Sequence, residues 1–272
     1  MNIKVLYKKL NNFKKNYRIN KDKIKKKKNR NLSINNGRFI DKEICDYINK
    51  NIKYKYSYKL KYKNIIISIY YYTKDNKDKV IIEGLLSKIV NRLIFMMNIS
   101  NIYKDVNLEI YDTPFKKKLP CTKNHICNEN ITPKHVNTGM NWGNNILIYR
   151  NEELLKLVIH EVIHLLDIDN KYEDNESFLE FSNLFCINKK NLLINESYVE
   201  TLAIIIDIYI KLWEKNILNY KNYKHNIKKM IMFNLKQCSK LCIFYNIKKY
   251  NDLLVNNKKC KKYLDNDSNV FS

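Results

Sequence analysis

Glycine, proline and arginine are all scarce, with 4 Gly, 3 Pro and 5 Arg in 272 residues. So little Gly and Pro excludes collagen-like and linker-rich chains. No apolar run approaches the roughly 18–20 residues that a membrane helix needs, which predicts no transmembrane segment. The 7 Cys include no CxxC pair, and their odd number argues against a secreted disulfide framework. No apolar stretch near Met1 resembles a secretory signal. The expectation is an intracellular, cytoplasmic protein of a reducing compartment. The lack of arginine also speaks against a sequence-specific nucleic-acid reader, because such proteins favour the bidentate guanidinium fork.

Lysine is abundant. Lys and Arg together number 51 against 27 Asp and Glu, a formal charge of +24, yet Lys, Asn, Ile and Tyr all have AT-rich codons, so genome composition accounts for most of that excess. It predicts salt-sensitive, non-specific sticking to nucleic acid and no more. With 45% hydrophobic residues the chain can bury one sizeable core. Residues 1–36, basic with Asp22 the only acid, read as a disordered arm. Residues 37–272 read as a single α+β domain, with a sheet-containing half to about residue 168 and a mainly helical half after it. Tyr54–Tyr72 alternates and then runs apolar, predicting one or two strands. Val80–Ile99 has helical spacing, and 107–111 reads as a short strand. All three prolines fall between 113 and 143, which reads as an irregular shaped loop. Cys121, His125 and Cys127 lie in it at spacings that match no standard zinc module. Asn145–Arg150 reads as a strand, with Asn151 as a helix N-cap and Glu152 and Glu153 in the first turn. From Leu202 to about Leu264, apolar stripes such as Ile210, Trp213, Ile217, Met230, Phe233 and Leu235 suit helices that close one wall of a cleft. Cys238 and Cys242, four apart on one of them, read as small buried apolar residues.

The chemistry concentrates in the helix that follows Asn151. It is apolar on almost every side except for His160, His164 and Asp167, so it must be buried. Residues four apart lie one turn above each other, and His160 and His164 therefore aim their imidazoles at one point, as a tetrahedral zinc requires. Glu161 projects beside them as the candidate general base. Two core histidines without a metal would bury polar groups with no partner visible in the sequence. Catalytic zinc takes three protein ligands and keeps one open position. Glu196 and Glu200, four apart on a second apolar helix, supply the third: one as ligand, with Glu196 preferred, and the other as the acceptor that orients an imidazole. Asp167 and Asp169 come next.

These residues resemble the gluzincin zinc metallopeptidases, in which HExxH is followed by a helix carrying Asn-Glu-x-x-x-(Asp/Glu), here Asn195-Glu196 to Glu200. The longer pattern from Asn137-Thr-Gly139 to Glu200 is similar to uncharacterised zincin-like proteins encoded by large nucleocytoplasmic DNA viruses, over roughly residues 100–215. The 31 residues between His164 and Glu196 exceed the compact gluzincin spacing. Asp167 and Asn170 exclude the metzincin extension, whereas HExxHxxD is shared with mitochondrial inner-membrane processing proteases. The resemblance implies a zincin-like fold: a small antiparallel or mixed sheet, an active-site helix, one Zn²⁺ per chain and a peptide or protein substrate. On that reading Ile146, Leu147, Ile148 and Tyr149 form the edge strand to which an extended peptide adds, and Tyr149, Tyr198 and His225 are candidates to stabilise the oxyanion. A non-enzymatic zincin scaffold or a basic nucleic-acid-binding protein is the alternative.

Overall fold

The computed structural model describes residues 3–13, 17–28, 34, 40–118, 131–169, 179–180, 183–185, 194–245 and 247–254. It is an α+β fold around a six-stranded mixed sheet, with seven α-helices among the described residues. The strands are β1 (Lys25–Lys28), β2 (Tyr54–Tyr62), β3 (Ile65–Thr73), β4 (Val106–Tyr111), β5 (Gly139–Trp142) and β6 (Asn145–Ile148), in the order β1-β2-β3-β4-β6-β5. β3, β4 and β6 run parallel, and both flanks are antiparallel. The helices are α1 (Ile3–Asn11), α2 (Lys42–Asn51), α3 (Lys79–Ser100), α4 (Pro133–Val136), α5 (Leu154–Leu165), α6 (Ile194–Glu214) and α7 (Tyr220–Phe244). No helix among the described residues is long and apolar enough to cross a membrane.

Period-two alternation decides which side of the sheet is packed. Tyr56, Tyr58, Ile67, Ile69, Leu108, Ile110, Ile146 and Ile148 face the main core, where α3, α5 and α6 pack. α3 carries the crossover between parallel strands β3 and β4, and it is buried on nearly every side from Ile89 to Met97, as a crossover helix lying between sheet and helices must be. On the opposite face, α2 sets Ile44, Cys45 and Ile48 against Tyr111, Leu147 and Tyr149 and against Tyr72 at the end of β3.

Several elements differ from the sequence expectation. The described part of residues 1–36 is folded: Leu10, Ile19 and Ile24 are buried in the main core, Tyr7 packs on Tyr209, Tyr220 and Tyr223, and β1 pairs with β2. Enough apolar residues lie among the lysines to give this segment an inner side. The stretch 113–143 holds α4 and β5 besides loop, while Cys121, His125 and Cys127 lie outside the described residues. On α7, Cys238 is exposed, as are Phe233 and Leu235, so the outer half of this helix closes no cleft wall. Asn151 does not cap α5. The chain enters that helix through Glu153 at φ 56°, and the Asn151 side chain donates instead to the Asp112 carboxylate.

Candidate metal centre

α5 forms the floor of a cleft of about 310 Å³, with β5 along one side and α6 along the other. The apolar run from Leu157 to Ile163 buries α5 against the core, and this places His160 and His164 on the helix face left toward the cleft. Their Nε2 atoms lie 3.3 Å apart. Across the cleft, the Glu196 carboxylate reaches both, Oε2 at 3.4 Å from His160 Nε2 and Oε1 at 3.4 Å from His164 Nε2. A tetrahedron with bonds of about 2.0–2.1 Å has edges of about 3.3–3.4 Å, so the two Nε2 atoms are one such edge apart, and the Glu196 carboxylate faces that edge with one oxygen toward each nitrogen. These are the three residues grouped closely enough to hold a metal ion among the described residues.

The outer nitrogens are also engaged. His160 Nδ1 bonds Glu200 Oε2 at 3.2 Å, and His164 Nδ1 bonds Asp169 Oδ2 at 2.8 Å. Each imidazole thus presents Nε2 to the cleft while a carboxylate fixes its ring on the other side, which is how metal-binding histidines are oriented. Glu200 is itself held by Lys156, whose ammonium also bonds Glu153 at 3.0 Å. Burial alone would push His160 down, but its hydrogen bonds with Glu196 and Glu200 outweigh that and hold the imidazole up at about 9. Burial likewise favours the neutral form of both carboxylic acids, yet the histidine bonds, with Lys156 at Glu200, hold Glu196 and Glu200 down at about 2. The cluster is a set of mutually charged donors that a divalent cation can organise in place of protons.

Glu161 is buried beneath β5 and lines the same cleft, where burial pushes its carboxyl up. Gly139 makes room for it. A Cβ there would stand 2.9 Å from the Leu147 carbonyl oxygen and 3.3 Å from Glu161 Oε1. The Asn141 side chain donates to the Glu161 backbone carbonyl at 3.3 Å, tying the edge strand to the helix.

His160, Glu161, His164, Glu196 and Glu200 therefore come together at one place, and other expected residues do not. Ile146, Leu147 and Ile148 form β6, which is paired on both sides and buried, so it has no free edge. The edge strand is β5. Tyr149 is buried with α2 under the other sheet face. Tyr198 sits two residues from Glu196, about 200° around the helix, and packs on the main core. His225 lines a separate hollow on α7. Asp167, beyond the end of α5 at φ 53°, pairs with Lys104 rather than the cluster. Asp169 as the partner of His164, Lys156 as the partner of Glu200, and β5 itself were missed. Asp169 carries no periodic signal, since the turn at Asp167 is what brings it back. No family model, curated protein or solved structure matches this chain.

Proposed function

We propose that the protein is a zinc-dependent peptidase of the zincin type. The observation that carries this reading is the convergence of His160 Nε2 and His164 Nε2, 3.3 Å apart, on a Glu196 carboxylate that sets one oxygen 3.4 Å from each, beside a buried glutamate in an open cleft. Zinc held there supplies a Lewis acid for the scissile carbonyl and lowers the pKa of water to about 7. Glu161 takes the proton of the attacking water and returns it to the leaving amine, and the burial that raises its carboxyl suits it to both transfers. Glu200 and Asp169 keep the two imidazoles turned toward the cleft.

The two sheet edges support a peptide as substrate. β1 is four consecutive exposed lysines, a charged edge that discourages strand addition. β5 reads Gly-Met-Asn-Trp and carries no charge. Thr138 accepts from the Tyr149 N–H, so by the alternation of an antiparallel ladder Gly139 and Asn141 turn their backbone groups away from β6, toward the open edge. An extended peptide can add to them beside His160, His164 and Glu196.

The test is direct. Purified protein should hold about one zinc per chain and lose it on joint His160→Ala and His164→Ala substitution. It should cleave an extended peptide in a chelator-sensitive way, and Glu161→Gln should keep the zinc while losing about 10²–10⁴ in rate. Equal cleavage by wild type and Glu161→Gln at equal zinc loading would overturn the reading.

A further inference from the structure

We infer that the lysine-bearing half of the sheet, on the face away from α3 and α5, is a docking surface for single-stranded nucleic acid. The inference is independent of the peptidase reading. α2 covers β4, β6 and the Tyr70–Tyr72 end of β3 on this face; among the described residues it leaves open β1, β2 and the start of β3, where Ile66 beside the β2–β3 turn is 52% exposed. The strand registers place Lys25, Lys27, Lys55, Lys59 and Lys61 on this face, interleaved with Ser57, Ser68 and Tyr70. Across the same three strands it carries no acid. Two carboxylates border it: Asp105, which accepts from the Ile66 N–H at 2.7 Å, and Glu109 of β4, which accepts a hydrogen bond from the Tyr111 hydroxyl.

Composition explains many lysines but not this sorting. The tyrosines that alternate with them, Tyr56 and Tyr58, are buried in the core, and the cations are gathered on the wet side. Lys27 lies directly opposite Lys55, a like-charge pairing that destabilises an antiparallel ladder and that an anion laid across the strands would relieve. Lys55 rests its ammonium 4.1 Å from the centre of the half-buried Tyr70 ring, which packs against the α2 cluster at the border of this face; a base stacks there only by displacing that ammonium. Lysines two apart on one strand are separated by about 6.6–6.8 Å, a spacing that an extended phosphodiester chain can follow. Lysine serves as a point charge and reads no base edge, so the expected binding tolerates any sequence. A membrane surface fits less well, because Ile66 stands alone with no aromatic or apolar cluster to insert.

Full-length protein should be titrated against labelled oligothymidylate and oligouridylate by fluorescence anisotropy across about 50–200 mM salt. Three variants are compared with wild type: Lys27→Gln, Lys59→Gln and Lys61→Gln together; Lys224→Gln, Lys228→Gln and Lys236→Gln together on α7, an equal loss of charge elsewhere; and Tyr70→Leu. All the substituted lysines are exposed, and melting curves check that each variant is folded. The sheet triple should lose about tenfold or more in affinity and flatten the salt slope by about 2, since each phosphate contact on a single strand contributes about 0.7. The α7 triple should change the slope by less than half as much, and Tyr70→Leu should weaken binding without changing it. Equal losses for the two triples would overturn the inference in favour of uniform polyelectrolyte sticking. So would a duplex that competes as well as the single strand, or vesicles of anionic lipid that bind through this face when oligonucleotides do not.

Discussion

Glu196 and Glu200 are chemically identical and one helical turn apart, yet they meet different atoms. Glu196 spans the two Nε2 atoms that face the cleft, whereas Glu200 meets the Nδ1 of His160 from behind and is neutralised by Lys156. Glu196→Ala should therefore remove most of the bound zinc. Glu200→Ala and Asp169→Asn should each cost about 10–100-fold in affinity, because they unfix an imidazole without removing a donor to the metal. Competition with a chromophoric chelator would rank the three, and a Glu200→Ala protein that loses more metal than Glu196→Ala would invert the assignment. The sequence already narrowed the carboxylate that meets the two histidines to these two residues by their i,i+4 spacing. It could not separate them, since both lie on one helix face and only the approach of α5 decides which carboxylate meets which nitrogen.

At the scale of elements, the segment that borders the cleft was read one strand out of place. Asn145–Arg150 reads as a strand just before α5 and its first four residues form one, but being apolar on both faces they belong inside a sheet. The true edge, Gly139–Trp142, is four residues with a glycine and no β-branched side chain, and local propensity does not find it. Its pairing with β6 around Gly143, at φ 55°, creates it. Proline is tolerated on an edge strand where its N–H would face outward. Asn141→Pro should thus spare the sheet, remove one donor to a bound peptide and raise KM roughly fivefold, about the worth of one hydrogen bond near 1 kcal/mol. Asn141→Ala, which keeps the backbone donor but loses the side-chain tie to Glu161, separates the two effects. An unchanged KM in the proline variant would mean that the peptide does not lie along β5.

For the whole molecule, the site depends on two helices distant in sequence staying in register. Arg92 of α3, fully buried, bonds Asp207 at 3.2 Å and Glu214 at 2.8 Å on α6. Removing one partner of such a group leaves charge buried, so Arg92→Met should cost about 3–5 kcal/mol in denaturant unfolding; a loss under about 1 kcal/mol would show that apolar contacts alone hold α6. A second tie, Asp112, joins the ends of β3 and β4 to the turn before α5 through Lys77, Thr73 and Asn151. Burial alone would raise its carboxyl, but the bonds from Lys77, Tyr71 and Thr73 outweigh burial and hold it below the ordinary carboxylate value. A group depressed in the folded state adds stability above its unfolded pKa of about 3.9, and that stability is lost as pH falls through the folded value. Melting temperature should therefore drop below about pH 4, and less steeply in Asp112→Asn than in wild type. Equal slopes would remove Asp112 from the account.

The sequence by itself determined the α+β class, the helix over Val80–Ile99, the strands over Tyr54–Tyr72 and 107–111 and the placing of His160 and His164 on one helix face, because each is written in a period of two or 3.6 residues within one element. The tertiary structure alone decided which of Glu196 and Glu200 faces the two Nε2 atoms, that Asp169 turns back onto His164, that Tyr198 and His225 lie away from the cleft, and which strand is the edge. Those outcomes depend on how separate elements approach one another, and no local period records an approach between residues 30 or more apart or the turn that ends a helix.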